Sequence, residues 1–350
     1  METVKRKNYL DYLRILAILM VVFNHNAIYG FFLQFDTVGI KYIVSAGISI
    51  LCKCGPPLFF MISGALLIGK EESFRQILVH RVPRICIVLV AIALWMSRED
   101  FSIRLFFSRL LADSNWFLYA YLAFLLMLPF IRVMVKGMNK KMMWLFLGLS
   151  FIFYTVTAIV KIAGTENTLS LYLVMLASDW PSKCWHIVFP IAGYYLANET
   201  SFQVTAREKK IQWLVLGIGS ALGLICCIIF LYLSGRGYGG ADLEFLRQSF
   251  IMLPTFLIFS TVQYLDEKKN IRWNPLLQKC IRMISGATFG VFLMNVYFPM
   301  GGWIQSHITG AAIPYIGEFI AHILTGLIEF AISTMVIIIL RKIPLIRKVL

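Results

Sequence analysis

Long runs of apolar residues alternate with short polar connections along the whole chain. A helix needs about 20 mostly apolar residues to cross a bilayer. By that criterion the candidate spans cover residues 9–30, 42–69, 83–97, 115–133, 142–162, 184–198, 211–234, 247–265, 284–305 and 315–340. The pattern predicts an all-α, polytopic membrane protein with about ten transmembrane helices. No connection is long enough to add a soluble domain, so we expect residues 1–350 to form a single integral membrane domain.

The second apolar run is too long for one regular span and contains Cys54-Gly55-Pro56-Pro57. Proline has no N–H to donate and clashes with the preceding helical turn. We therefore predict that this run is broken into two helical pieces.

Composition and charge agree with a membrane protein. Hydrophobic residues make up 59% of the chain and charged residues 15%, whereas soluble domains average about 25% charged residues. The net charge of +15 does not indicate nucleic-acid binding, because the basic residues are divided among short connections. Lys and Arg favour cytoplasmic connections. They are concentrated on the side of the N-terminus, in residues 5–7, 70–84, 132–141, 207–210, 268–282 and 341–348. This predicts that both termini are cytoplasmic.

The first apolar run carries three polar side chains, Asp11, Arg14 and His25. An ionised side chain inside the hydrocarbon costs about 3 kcal/mol on insertion scales, so such residues are candidates for function. Between Arg14 and His25 an α-helix turns through about 1100° and rises about 16 Å, which places both on one face at two depths. Asp11 lies one turn before Arg14 and can neutralise it. Alternatively, Arg14 snorkels to the headgroups and His25 is only interfacial.

Basic residues follow the second run, at the predicted cytoplasmic surface. Arg81 and Arg84 stand close to Lys70 and Arg75, and Ser63 precedes them within the run. A guanidinium offers planar, bidentate donors to phosphate. The cluster suits a donor with several phosphates, such as coenzyme A. Attraction to anionic lipid is the alternative explanation.

The last run contains Glu318, His322 and Glu329. At this spacing the three residues share one helix face, and ionisable residues in spans should point into the bundle. This face is either a second polar wall of the cavity that holds the first run's arginine and histidine, or a structural Glu–His pair.

Common catalytic signatures do not occur in this chain. It has no Gly-rich phosphate loop, no GxSxG and no HExxH sequence. Its seven cysteines show no CxxC or zinc spacing, so we expect no metal. The catalytic candidates are therefore His25 and Arg14.

Four segments, in order, resemble the membrane acyltransferase 3 family. In chain order they are Asp11-Tyr12-Leu13-Arg14 with His25, Leu58 to Leu67 with Arg81 and Arg84, Trp116-Phe117-Leu118-Tyr119, and Ser285 to Asn295. They resemble the family's Arg-x10-His signature, its FF-x-x-SG-x-L segment with a basic stretch, its WFL segment and its TFGIYLIH segment. Together they extend over nearly the whole chain.

The resemblance implies transfer of an acyl group, usually acetyl, from cytoplasmic acyl-CoA to a hydroxyl of an extracytoplasmic or lipid-linked sugar or polysaccharide. The protein would then be an O-acetyltransferase of the bacterial plasma membrane, with acetyl-CoA as donor substrate and no bound cofactor. It further implies that the donor is bound by Arg14, Arg81, Arg84 and Ser63. His25 would be the general base or a transient acyl carrier. The candidates for the acceptor site or for the lining of the cavity are Asp11, Trp116, Tyr119, Asn295, Glu318 and His322.

Asn295 departs from the family pattern, which commonly has histidine there. This leaves the acceptor and full activity open. A transporter for an amino acid or a lipid-linked sugar is a second hypothesis, and it would have no reason to bind acyl-CoA. An inactive member that serves as a partner of a polysaccharide assembly system is a third.

Overall fold

The structure is a computed structural model that describes residues 7–27, 39–163, 185–233, 250–269, 274–298 and 303–349. Every regular element in these residues is helical. The predicted spans also reach residues 28–30, 184, 234, 247–249 and 299–302, which lie outside the described residues.

The principal helices, numbered in chain order, are α1 (Tyr9–Val22), α2 (Ile40–Cys52), α3 (Gly55–Leu67), α4 (Val82–Met96), α5 (Ile103–Leu110), α6 (Trp116–Gly137), α7 (Lys140–Ala163), α8 (Trp185–Ala197), α9 (Ala206–Leu233), α10 (Met252–Lys269), α11 (Pro275–Tyr297), α12 (Gly310–Ile316), α13 (Glu318–Leu340) and α14 (Pro344–Val349). The described residues also contain three π-helical segments, at Phe23–Ala27, Ile77–Arg81 and Gln305–Thr309.

Six helical stretches in the described residues are long and apolar enough to cross a bilayer. They are Ile43–Leu67, Phe74–Met96, Asp113–Gly137, Ala206–Ile229, Pro275–Tyr297 and Glu318–Leu340, and His186–Ala197 is a shorter apolar helix. An all-helical, multi-pass membrane protein is therefore confirmed. The count of about ten spans stays a prediction.

The predicted break in the second run is present. α2 ends at Cys52, a turn follows at Lys53 and Cys54, and α3 begins at Gly55. Two prolines occupy the first turn of α3, where the missing N–H groups would have no intrahelical partner in any case. Proline chemistry therefore fixes where the new helix begins.

α13 is polar on its buried side and apolar on its exposed side. Its buried residues include His322, Thr325, Glu329 and Ser333. The large apolar side chains exposed on it are Ile320, Leu324, Leu327, Met335 and Ile339. Because lipid tails are themselves apolar, a helix in the bilayer gains no hydrophobic free energy by burying apolar side chains against other helices. The arrangement is that of a span whose polar face is turned into a bundle.

α3 and α8 approach each other through two glycines. A Cβ added at Gly64 would overlap the backbone of Pro190, and one added at Gly193 would overlap the backbone of Met61. Small residues at a helix crossing let two backbones come into direct contact. This contact explains why the Ser-Gly sequence of the second run needs glycine at position 64.

The start of α1 lies beside the ends of α8 and α10. The backbone N–H of Tyr9 donates to Asp266 Oδ2 at 3.0 Å, and Lys7 Nζ donates to the carbonyl of Ala197 at 2.9 Å. We call this the N-terminal end of the bundle, and the opposite end, which contains the π-helical segment after α1, the far end.

Candidate active site

A buried carboxylate joins α1 to α11 at the N-terminal end. Asp11 is 2% exposed. Its Oδ1 accepts hydrogen bonds from Ser285 Oγ at 2.7 Å and from Arg14 Nη1 at 3.2 Å. The Arg14 side chain keeps 29% of its surface exposed. The spacing predicted the Asp11–Arg14 pair, and Ser285 adds a partner from a distant part of the chain.

Asp11 and Asn295, two of the candidates for the acceptor site or the cavity lining, lie at different depths in the bundle. Asn295 lies ten residues after Ser285 in α11, a rise of about 15 Å along the helix. Asp11 is therefore well separated from Asn295, and a role for either residue in acceptor binding stays a prediction. The contacts indicate that Asp11 fixes the position and charge of Arg14.

The basic segment before α4 is partly neutralised by Glu72, which the sequence analysis did not consider. Glu72 accepts two hydrogen bonds from Arg81 Nε, at 3.0 and 3.2 Å. The hydrogen bond from Arg81 lowers the pKa of the Glu72 carboxyl, so Glu72 is ionised at neutral pH. Arg81 thus already has an anionic partner within the protein. Its binding to a donor stays a prediction.

Arg132 holds the end of α3 and was missed as a structural residue. Its Nε and Nη2 donate to the carbonyl of Leu67 at 3.2 and 2.8 Å, and its Nη1 donates to the carbonyl of Glu72. The last carbonyls of a helix have no partner within the helix. Arg132 therefore caps α3, a role that its position in an apolar run did not reveal.

Arg84 contacts different elements from Arg81. Its Nε donates to the carbonyl of Val349 at 2.6 Å, and its guanidinium lies 5.7 Å from the ring centroid of Phe289. These contacts hold the start of α4 against α11 and α14. Ser63 is half-buried on α3, next to the glycine that contacts α8. The structure therefore distributes the predicted donor residues over several contacts at the N-terminal end.

His25 lies at the far end, in the π-helical segment Phe23–Ala27. A π-helix bonds residue i to i+5 and so holds more residues in each turn than an α-helix. The predicted alignment of His25 with Arg14 assumed an unbroken α-helix, and the π segment changes the angle of His25 around the helix axis. His25 is exposed, and its segment packs against α13.

A buried polar pair joins α11 to α13. Asn295 Nδ2 donates to Glu329 Oε1 at 2.7 Å, and the two residues are 8% and 1% exposed. His322 is buried on the same helix, whereas Glu318, at the start of α13, is half-buried. The predicted inward direction of this face is thus confirmed for His322 and Glu329. Sequence analysis did not identify Asn295 as the partner of Glu329.

The Asn295–Glu329 contact indicates what position 295 must supply. A carboxylate needs a donor, and the asparagine amide offers N–H groups, as a histidine ring also does. Asn295 therefore retains the hydrogen-bonding capacity of the residue that is common in the family.

We expect Asn295→Ala to destabilise the protein by about 1–3 kcal/mol, because it removes the donor from a buried acceptor. Asn295→His should recover much of that loss, and Asn295→Asp should be at least as damaging as alanine, since it places two carboxyl groups together. Thermal unfolding of the three variants in detergent at pH 7 measures these differences. Wild-type stability of Asn295→Ala would contradict the assigned contact.

The start of α6 is held against the end of α11. Tyr119 Oη donates to the carbonyl of Leu110 at 3.0 Å, and Tyr297 Oη donates to the carbonyl of Ser114 at 3.2 Å. Trp116 is 47% exposed beside them. The rings of Phe117 and Phe292, whose centroids lie 4.9 Å apart, bring two of the four recognised segments together beside this exposed indole. A role for Trp116 and Tyr119 in acceptor binding stays a prediction.

A protein-family model described as an acyltransferase domain, the acyltransferase 3 model, matches residues 7–340. The match includes Arg14, His25 and the buried polar face of α13. The chain has no match among curated proteins and none among solved structures. Because the family model covers nearly the whole chain, the resemblance is confirmed. The chain belongs to the acyltransferase 3 family of membrane acyltransferases.

Proposed function

We propose that this protein transfers an acyl group, most often acetyl, from cytoplasmic acyl-CoA to a hydroxyl of an extracytoplasmic or lipid-linked sugar or polysaccharide. The main support for this proposal is the placement of two residues in one helical segment. Arg14 is held in position at one end of the bundle, and His25 is exposed at the other end. The donor enters at Arg14, and the hydroxyl is acylated near His25. The family match supports acyl transfer, and the donor and acceptor are part of the proposal.

The distribution of charge supports the membrane arrangement in this proposal. About ten spans cross the bacterial plasma membrane, and both termini lie in the cytoplasm, where Lys and Arg are favoured. The N-terminal end of the bundle then faces cytoplasmic acyl-CoA. The far end faces the acceptor. In this arrangement the pantetheine arm of acyl-CoA carries the thioester across the bundle, from the N-terminal end to the far end.

Each polar group has a defined part in the reaction. Arg14, held by Asp11 and Ser285, offers N–H donors to the amide carbonyls or phosphates of the donor. His25 removes the proton from the acceptor hydroxyl, whose oxygen forms a bond to the thioester carbon. The C–S bond breaks, and the CoA thiolate takes up the proton from His25. Imidazole suits this task because its ordinary pKa of about 6.5 leaves it largely neutral at pH 7.

The proposal is tested by measuring acetyl-CoA binding and CoA release with purified protein in detergent. We expect acetyl-CoA to stabilise the wild type and to be converted slowly to free CoA. Arg14→Ala should weaken donor binding by about ten- to a hundredfold, the effect of losing hydrogen bonds from a charged donor. Arg207→Ala, an exposed arginine at the start of α9, is the matched control. If acetyl-CoA neither binds nor reacts, the acyl-transfer proposal fails and transport assays become the next step.

A further inference from the structure

A cavity of about 900 Å³ lies at the N-terminal end of the bundle, between α11, the end of α13 and α14. Its size falls in the range of small-molecule sites, which is about 300–1,000 Å³. No acidic side chain of the described residues lines it. Its cationic lining residues are Lys279, Arg282, Arg341, Lys342 and Arg347.

None of these five cations forms an ion pair with a residue that the structure describes, in contrast to three basic residues at the same end. Arg14 pairs with Asp11, Arg81 with Glu72, and Lys140 with Glu208. Like charges gathered without a counter-charge repel one another and attract an anion. The cavity therefore gathers five positive charges that no acidic side chain among the described residues compensates.

Arg341 provides a second, independent observation. Its Nε is buried and has no hydrogen-bond acceptor among the described residues. Its Nη1 lies 2.6 Å from the point where a Cβ at Gly286 would stand, so the glycine makes room for the guanidinium. Buried polar groups in proteins are nearly always hydrogen-bonded. A buried guanidinium N–H without a protein acceptor is suited to bind an anionic ligand.

The cavity is adjacent to the Arg14 cluster. Gly286 lines the cavity, and the residue before it, Ser285, donates its hydroxyl to Asp11. Asp11 in turn pairs with Arg14. If the anionic end of a ligand occupies the cavity, the rest of the ligand therefore leaves the cavity next to Arg14 of α1.

We propose that this cavity binds the phosphate groups of the CoA donor, and that Arg282, Arg341 and Arg347 are their principal contacts. The proposal rests on the proposed function, since it assigns part of the donor site. It moves the phosphates away from Arg81, which Glu72 neutralises, to residues that the sequence analysis used only to orient the chain. The pantetheine arm then extends past Arg14 towards the far end.

The test compares ligands with and without phosphates. The variant carries Arg282→Gln and Arg347→Gln together, both at exposed positions where glutamine is tolerated. Its control is Arg207→Gln, exposed at the start of α9 and outside the cavity. Dissociation constants for CoA and for pantetheine, which lacks the phosphates and the adenosine, are measured with purified full-length protein in a neutral detergent. We expect CoA to bind about ten- to a hundredfold more weakly to the double variant, and pantetheine to bind as it does to wild type.

Adenosine 3′,5′-bisphosphate serves as the probe for the phosphates alone. It should displace CoA from wild type and from the control, and much less effectively from the double variant. Equal CoA affinity in wild type and in the double variant overturns the cavity assignment but leaves the acyl-transfer proposal intact, provided that Arg14→Ala still weakens binding. If wild type does not bind CoA at all, both proposals fail.

An anionic phospholipid headgroup has the same phosphate chemistry, and basic pockets at the cytoplasmic surface also bind such lipids. The same variants are therefore compared in nanodiscs of phosphatidylcholine with and without phosphatidylglycerol. A double variant that loses bound phosphatidylglycerol while keeping its CoA affinity identifies a lipid site and overturns the proposal. CoA affinity that falls in both lipid compositions supports it.

Discussion

We expect His25→Ala to lower the rate of acetyl transfer by about 10²- to 10⁴-fold, the usual contribution of a general base, with little change in CoA affinity. The two effects separate because the Asp11–Arg14–Ser285 cluster lies at the other end of the bundle, about 16 Å along the first helix. His25 is exposed, so its truncation leaves no cavity in the core. The loss should therefore be one of chemistry and not of folding or donor binding.

Release of free CoA from acetyl-CoA measures the rate, and the dissociation constant of CoA measures donor binding. His307→Ala is the matched control, because His307 is also exposed and stacks on Trp303 with ring centroids 4.8 Å apart. The control should keep the wild-type rate. A wild-type rate in His25→Ala would remove His25 from the mechanism. Mass spectrometry of wild type incubated with acetyl-CoA alone separates the two roles, since only an acyl carrier gains an acetyl group on His25.

The second large effect concerns the crossing of α3 and α8. We expect Gly64→Ala and Gly193→Ala each to prevent normal folding or to cost more than the usual 1–3 kcal/mol of overpacking. Each new methyl group would overlap the backbone of the facing helix, and a backbone cannot rotate away as a side chain can. The two helices would have to separate along their whole contact.

Gly148→Ala and Gly217→Ala are the matched controls, since a Cβ at either position meets nothing within 4 Å. Both glycines lie inside helices, so alanine there should be neutral or stabilise the protein by about 0.5–1 kcal/mol. Yield of folded protein and thermal unfolding in detergent measure the difference. Equal stability of Gly64→Ala and Gly148→Ala would show that the two helices do not approach as closely as described.

Sequence alone predicted features that depend on neighbours along one helix. The Asp11–Arg14 pair follows from a three-residue spacing, the break after Cys52 follows from two prolines, and the inward face of α13 follows from helical periodicity. Each of these is set by local geometry and by the cost of polar groups in lipid. They needed no knowledge of how the helices pack.

Contacts between distant helices could not be predicted in the same way. Ser285 reaches Asp11 across 274 positions, and Asn295 reaches Glu329 across 34. Serine and asparagine in an apolar run give no signal for their partner, because many helix packings would satisfy them. The cationic cavity could not be predicted for a related reason. Its basic residues come from two separate connections, and the preference of Lys and Arg for cytoplasmic connections already accounts for both groups.

The order in which the helices are made bears on the buried carboxyl groups of Asp11 and Glu329. Asp11 and Arg14 lie in the same helix, so their charges compensate as soon as α1 enters the membrane, long before Ser285 has been synthesised. Glu329 lies in the last long helix, and its partner Asn295 precedes it in the chain. If the chain is inserted from its N-terminus, the partner of each buried carboxyl therefore enters the membrane in the same helix or in an earlier one. Biogenesis of this protein requires no stage at which either group waits in lipid for a helix still to be translated.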